Sequence, residues 1–326
     1  MTFPHRRPRR LRRTAVIRRM IAETHLRTDD LIAPLFVREG IDEPQPIPSL
    51  PGVVQHTRAS LRTEVAELRA LGVPAVILFG VPATKDPLGS GAWDPQGIVQ
   101  LALRDLRDDH GDDLALIADL CVDEYTDHGH CGVLDGRGSV DNDATLELYA
   151  RIALAQADAG AAIVAPSGMM DGQVRAIRAA LDGGGHTDLP IMAYAAKYAS
   201  ALYGPFRDAV DCTIVGGGDR KGYQQDYANA REAMEEIRLD LDEGADIVMV
   251  KPALSYLDII HQARTRFDVP LAAYHVSGEY AMVKAAAERG WLDGPAVALE
   301  QLTAVKRAGA DLILTYFARE LAELLD

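Results

Sequence analysis

The sequence predicts an α/β fold of the (β/α)8 barrel, or TIM barrel, class, preceded by an extended basic N-terminal arm. Three observations predict it. A helical stretch ending in Gly, often beside Ala, runs straight into an apolar segment in "LRALGVPAVILFG" (68–80), "ADAGAAIVAPSG" (157–168), "DEGADIVMVKP" (242–252) and "RAGADLILTYF" (307–317). Glycine ends a helix in the left-handed conformation, and the apolar run after it reads as a buried parallel strand. Eight such runs can be collected, with helix-like stretches between most of them. The chain of 326 residues shows no interdomain linker, so one large barrel fits its length.

Along the chain, residues 1–25 form the arm and residues 26–326 the barrel. Residues 1–20 hold eight arginines (Arg6, Arg7, Arg9, Arg10, Arg12, Arg13, Arg18, Arg19) and no acid. The whole chain carries −14, which leaves about −22 on the rest. So acidic a body argues against nucleic acid as the main partner, and an acidic face of a neighbouring subunit is the better partner for the arm. The eight strand candidates are 31–37, 74–80, 114–120, 162–167, 190–196, 246–251, 270–276 and 311–317. The helix at 145–159 puts Leu146, Leu148, Tyr149, Ile152 and Ala153 on one side. Residues 198–230, rich in Gly and Tyr, interrupt the rhythm and read as an active-site lid. A doubly wound open sheet is the competing fold, but no GxGxxG follows the first strand, and "GGGD" (216–219) alone is weak as a phosphate loop. No apolar run is long enough to cross a membrane, and no signal-peptide core opens the chain. Three cysteines make no disulfide framework, so a reducing cytoplasm is expected.

Catalytic groups of such barrels sit at the C-terminal ends of strands. Those ends offer Asp119, Cys121, Asp123, Ser167, Lys197, Lys251, Tyr274, Ser277 and Tyr316. Lys251 follows "DIVMV" directly, and Lys197 follows "IMAYAA". Burial strips an ammonium of water and lowers its pKa, and a second lysine nearby lowers it further. The neutral amine is then a nucleophile for a ketone, giving a Schiff base. A lysine that only pairs with a carboxylate is the plainer alternative. In "DLCVDEYTDHGHC" (119–131), Cys121, Asp123 and Cys131 are spaced to hold zinc with an open fourth position. Equally, His128 and His130 could simply order the loop, with the cysteines as ordinary barrel-mouth residues.

Longer motifs resemble the porphobilinogen synthase (5-aminolevulinate dehydratase) family from about residue 16 onward. They are "DDLIAPLFVREG" (29–40), "EYTDHGHCGVL" (124–134), "VDNDATLELYARIALAQADAGA" (140–161), "AKYASALYGPFRDAV" (196–210), "DIVMVKPALSYLDII" (246–260), "VSGEYAM" (276–282) and "RAGADLILTYFA" (307–318). The resemblance implies condensation of two 5-aminolevulinate molecules to porphobilinogen, with loss of two waters, in tetrapyrrole (heme) biosynthesis. It makes Lys251 the P-side Schiff-base lysine and Lys197 the A-side one. Arg207 and Lys221 match the cations that bind the A-side carboxylate, with Phe206 as apolar cover. Ser277 and Tyr316 match the pair on the P-side carboxylate; Tyr274 packs beside the P-side lysine, and Ser167 and Asp119 line the site. Glu236, fifteen residues before Lys251, matches an allosteric magnesium ligand between subunits. An arm that wraps a neighbour, in a homo-octamer, is also implied.

The chain departs from the family pattern twice. Zinc-dependent members have a third cysteine where Asp123 stands, so zinc here faces two thiolates and a carboxylate. Gly168 and Gln173 replace a usual Asp and Arg, a loss of both members of a charge pair. Two other readings compete. A class I aldolase-like barrel needs one Schiff-base lysine and no metal loop, and a non-catalytic barrel would bind through its arginine arm alone.

Overall fold

A computed structural model describes residues 2–215 and 218–325. Gly216 and Gly217 of the "GGGD" segment lie outside the described residues. The strands are β1 (Leu31–Arg38), β2 (Gln45–Pro46), β3 (Val54–His56), β4 (Ala75–Val81), β5 (Ala115–Leu120), β6 (Ile163–Pro166), β7 (Met192–Lys197), β8 (Ile247–Lys251), β9 (Leu271–His275) and β10 (Leu312–Thr315). The helices are α1 (Ala15–Met20), α2 (Arg58–Ala70), α3 (Ile98–His110), α4 (Asn142–Asp158), α5 (Gln173–Gly183), α6 (Gly204–Ala209), α7 (Arg231–Glu243), α8 (Leu257–Arg266), α9 (Ser277–Glu288), α10 (Gly294–Ala308) and α11 (Ala318–Leu325).

Eight strands pair in parallel in the order β6-β5-β4-β1-β10-β9-β8-β7. A parallel bridge from Val164 to Ile191 joins the two ends and closes the barrel. All eight coincide with the sequence candidates to within two residues. The strands are nearly continuous apolar runs because each is covered by helices outside and by packed side chains inside. β4, for example, is buried at every position. The α4 face foreseen at Leu148, Tyr149, Ile152 and Ala153 is buried, and Asp141 caps that helix by accepting from the Ala144 N–H.

The sequence reading passed over β2 and β3. β3 adds to the C-terminal end of β1, Phe36 pairing with Gln55, and β2 runs antiparallel to it. Two-residue and three-residue strands carry too little periodicity to be seen in sequence. Their importance lies in what they hold. Gln55 donates from Nε2 to the Ala209 carbonyl at 2.7 Å and accepts from Arg38 at 2.8 Å, and Arg38 also pairs with Asp211 at 2.5 Å. These bonds tie α6, in the 198–230 segment, to the rim of the barrel. In the arm, α1 and the turn Pro8–Arg12 bury none of their residues, and the first buried residue among those described is Asp30.

Candidate active site

The two lysines are register partners. β7 and β8 pair so that Lys197 stands opposite Lys251, and neighbouring strands are only about 4.8 Å apart. An irregularity in β7 between Ala193 and Ala196 makes this geometry usable. Without it, Tyr194 and Lys197 would face opposite sides of the strand. With it, both reach the barrel mouth, and Lys197 Nζ lies 5.5 Å from the centre of the Tyr194 ring.

Both amines are buried, Lys197 at 4% exposure and Lys251 at 5%, but their surroundings differ. Lys251 Nζ is ringed by aromatic side chains, and no hydrogen-bond acceptor is found for it among the described residues. Burial, with the Lys197 charge opposite, lowers its pKa from 10.5 to about 7. Lys197 donates to the Ser167 carbonyl at 2.5 Å. Burial pulls its pKa down too, but the Cys131 and Cys121 sulfurs and Asp123 outweigh that, and the net shift is upward. One amine is therefore set up to be neutral and the other to be charged.

Asp119 sits at the end of β5. Its Oδ2 accepts from the Ser167 hydroxyl at 2.9 Å, while Oδ1 is sealed from solvent without a partner. Burial raises its pKa to about 6 against the pull of Lys197 and Lys251. The Tyr194 hydroxyl is buried beside Asp119, and burial with that neighbouring carboxylate raises its pKa.

The loop after β5 brings Cys121, Asp123 and Cys131 together, with one donor atom from each inside 4.8 Å of the others, all buried. Converging sulfur and carboxylate donors fit a cation of zinc type. The histidines order the loop instead: His128 Nε2 meets the Pro87 carbonyl, its Nδ1 accepts from the His130 N–H, and His130 Nδ1 meets the Tyr223 hydroxyl. Burial raises both thiols; at Cys131 a hydrogen bond from Cys121 and the charge of Arg220 prevail, and its pKa is lowered.

Arg220 is the cation that sequence reasoning missed. It is 6% exposed, pairs with Asp123 Oδ2 at 2.7 Å, and donates to the Gly129 carbonyl at 2.9 Å. Burial opposes ionisation of Asp123, but Arg220 and Lys197 hold it well below the usual carboxylate range. One carboxylate oxygen is thereby taken by Arg220, leaving the other for a cation. Its neighbour Lys221 points outward, with its ammonium 3.6 Å from Asp219. Only the burial of "DRKG" in three dimensions separates the two, so the sequence held no signal to choose between them.

The other expected residues divide into three groups. Tyr274 and Tyr316 meet hydroxyl to hydroxyl at 3.2 Å beside Lys251. Ser277 accepts from the Phe206 N–H at 3.0 Å, so the segment carrying Phe206 rests on the start of α9. Arg207 is half-exposed on α6 and lines a rim cavity with Asp208, Cys212 and Thr213. Glu236 lies away from the lysines, on α7, lining a cavity of about 700 Å³ with Asn142, Asp171 and Glu232. Burial and the nearby carboxylates of Asp171, Glu232, Glu235 and Glu243 raise its pKa to about 7. Glu279 was also missed: its carboxylate accepts from the Leu254 and Val276 N–H groups at 2.7 and 2.6 Å, pinning the turn after Lys251 to the start of α9.

Gly168 has a clear steric reason. A Cβ there would lie 1.6 Å from the Tyr149 hydroxyl, which donates to the Cys131 carbonyl at 2.6 Å and lies 3.6 Å from Cys121 Sγ. Tyr149 occupies the space a side chain at 168 would need. Gln173 accepts from the Met170 N–H at 3.2 Å, closing the same turn.

A closed barrel with two buried lysines in register at its C-terminal mouth has the architecture of a barrel enzyme. The sequence comparisons are narrower. The family model described as delta-aminolevulinic acid dehydratase matches residues 5–324. A delta-aminolevulinic acid dehydratase of Streptomyces coelicolor is 60% identical over 326 residues, covering 99% of this chain and 98% of that protein. One from Mycobacterium tuberculosis is 58% identical over 323 residues, covering 98% of each. The crystal structure of the Toxoplasma gondii enzyme in complex with its product porphobilinogen superposes with a TM-score of 0.96 at 44% identity, covering 98% of this chain and 91% of that one. The chain belongs to the delta-aminolevulinic acid dehydratase family, and it is a dehydratase of the lyase type.

The depressed pKa of Lys251 has a thermodynamic consequence. Between pH 7 and 10.5 the unfolded chain binds a proton at this lysine that the folded chain does not, so stability rises with pH across that window, and the cost of burying the ammonium is complete once pH has fallen to about 7. Lys251→Met removes the strained charge. It stabilises the fold by up to roughly 5 kcal/mol below pH 7, and the advantage shrinks toward pH 10. Chemical denaturation at pH 6 and 9 measures this; equal stability of parent and variant at pH 6 would show that the buried charge carries no cost.

Proposed function

We propose that this site condenses two molecules of 5-aminolevulinate into porphobilinogen, with loss of two waters, through imines on Lys251 and Lys197. The observation that carries the reading is the register pairing of two buried lysines, one with its pKa lowered to about 7. Two ketone substrates need two amines, which a one-lysine aldolase mechanism does not, and the buried polar mouth leaves a purely arm-binding barrel without support.

The residues divide the work. Neutral Lys251 attacks the ketone of the P-side substrate. Asp119 Oδ1, partnerless and with a pKa raised to about 6, is placed to take and return the protons of carbinolamine formation and dehydration. Tyr316 and Ser277 hold the P-side carboxylate. Lys197 starts charged, and gives its proton to the Asp119 carboxylate before it attacks the second ketone. Arg207 with Arg220 supplies the positive charge for the A-side carboxylate, and Lys221 lies at the outer edge of that segment. The 198–230 segment is the lid, and α6 carries Tyr203's neighbour Phe206 over the site. Cys121, Asp123 and Cys131 are the residues that would hold zinc, which when bound supplies Lewis acidity. Glu236, with Asp171 and Glu232 beside it, is the candidate magnesium ligand at the outer face.

Borohydride reduction in the presence of substrate tests the assignment. The parent is expected to carry adducts at both lysines. Lys251→Ala is expected to lose pyrrole formation entirely, a drop of at least about 10⁴-fold for removal of a nucleophile. Lys197→Ala is expected to lose turnover yet still trap substrate at Lys251. Turnover by Lys251→Ala, or an adduct confined to Lys197, would overturn it. The parent kcat/KM is expected to rise with pH through about 7, where Lys251 loses its proton.

Two softer ligands and one harder one hold zinc less tightly than three thiolates. Asp123→Cys is therefore expected to raise zinc stoichiometry and to slow its removal by chelator, read by elemental analysis. It also strands Arg220, so a lower melting temperature is expected with the metal removed. Zinc content unchanged by the substitution would show that the loop does not bind zinc.

We assign the arm to assembly. Its arginines and exposed Phe3, Leu11, Val16 and Met20 bury nothing within the chain, and the acidic body of a second copy is the complementary surface, in keeping with an octamer. Removing residues 1–20 is expected to give smaller oligomers by sedimentation velocity; an unchanged assembly would refute it.

A further inference from the structure

Four rings surround Lys251 Nζ. Their centres lie 4.4 Å away for Tyr274, 5.0 Å for Tyr194, 5.2 Å for Tyr203 and 5.2 Å for Phe206. All four are inside the distance at which a ring face attracts a cation. A nucleophilic lysine needs only an apolar pocket to be neutral, and leucine or valine would serve. Aromatic faces do something that aliphatic walls do not, since they stabilise positive charge without offering a hydrogen bond.

We propose that Tyr194, Tyr203, Phe206 and Tyr274 form an aromatic cage whose function is to hold the iminium cation formed on Lys251, favouring it over the ammonium form of the free lysine. The inference rests on the reading of Lys251 as a Schiff-base lysine. The neutral amine adds to the ketone carbon and forms the new C–N bond. The oxygen then takes one proton from that nitrogen and one from solvent, and leaves as water. The nitrogen keeps one hydrogen, and a single positive charge is spread over nitrogen and carbon. An ammonium in this cage has three N–H groups facing rings that cannot accept them well, so it keeps most of its desolvation cost. The iminium has one N–H and a broad, weakly hydrated charge, so it loses less on entering and gains the same ring faces.

The cage is also braced. Phe206 packs edge-on against Phe79 at 5.1 Å and lies 5.9 Å from Phe36. The Tyr274 hydroxyl meets that of Tyr316, and Tyr316 stacks on Phe36 at 6.1 Å. Tyr194 and Tyr274 come from β7 and β9, whereas Tyr203 and Phe206 come from the segment over the mouth. The rings of that segment complete the enclosure, so cation stabilisation and closure act through the same residues.

Fluorination tests this without changing shape, because each fluorine weakens the ring's attraction for a cation. Phe206 is replaced in the full-length enzyme by mono-, di- and trifluorophenylalanine. Imine formation is driven with 4-oxopentanoate, the substrate lacking its amino group, and trapped with borohydride from pH 6 to pH 10. Mapping the adduct by peptide mass spectrometry assigns it to a lysine. The maximum adduct at Lys251 is expected to fall stepwise with fluorine number, by about tenfold over the series. Tyr274→Phe, which keeps the ring, is expected to retain the imine, and Tyr274→Leu to lose it. A flat fluorine series, with the parent adduct intact at Lys251, overturns the cage and leaves the Schiff-base reading standing. No Lys251 adduct in the parent overturns both.

Discussion

Two primary amines on register-paired residues of a buried barrel mouth are costly to keep charged together. That constraint organises the site. Like charges held close in a medium of intermediate dielectric repel by several kcal/mol, so one of the pair must be neutral or both must find counter-charges. The fold provides one solution of each kind. Lys197 is handed to a carbonyl, two sulfurs and Asp123, and stays charged. Lys251 is handed to rings, and its pKa falls to about 7. The bulge in β7 that turns Lys197 toward the mouth is thus as much a part of the chemistry as either lysine.

The result is a site with two unlike halves. One is polar and densely charged, with Arg220, Asp123 and the thiols buried and Asp119 half-buried near Lys197. The other is aromatic, and the charges that act on its lysine are those of Lys197, Asp119, Asp123 and Glu124. A reaction that joins two identical molecules asymmetrically needs such a division, because the two copies must play different parts. The difference lies in the dielectric and charge around two chemically identical amines. Each half constrains the other: the Lys197 charge helps to hold down the pKa of Lys251, so a change in the polar half is felt in the aromatic one.

The sequence was most legible where physics acts locally. Eight apolar runs, four of them directly after a glycine-closed helical stretch, pointed to the barrel, and strand ends pointed to the lysines, Asp119 and the cysteine loop. What it could not give was set by distance through space. Arg220 and Lys221 are adjacent and chemically alike, and only the packing of the loop after α6 sends one inward and the other out. Gln55 sits in a strand too short to show a period, yet it anchors α6 from more than 150 residues away in sequence. Glu279 reads as an ordinary helix-start acid, and its bond to the turn after Lys251 appears only once β8 and α9 are side by side.

The pair of departures at Gly168 and Gln173 makes the same point in the other direction. In sequence they read as the joint loss of a charge pair, which suggests a compensated loss rather than a dead enzyme. In three dimensions the volume at position 168 is already filled by the Tyr149 hydroxyl, from a helix nineteen residues upstream. That phenol bonds the Cys131 carbonyl and reaches Cys121, so it braces the cysteine loop from behind. A side chain at 168 and a tyrosine at 149 exclude each other sterically. Glycine is therefore the condition for the tyrosine, and with no acid at 168 an arginine at 173 would have no partner there. A neutral Gln173 that caps Met170 is the residue this arrangement requires. A neutral brace replaces an ionic one behind a loop that already holds Arg220 against Asp123, and it does so without adding another buried charge to the polar half of the site.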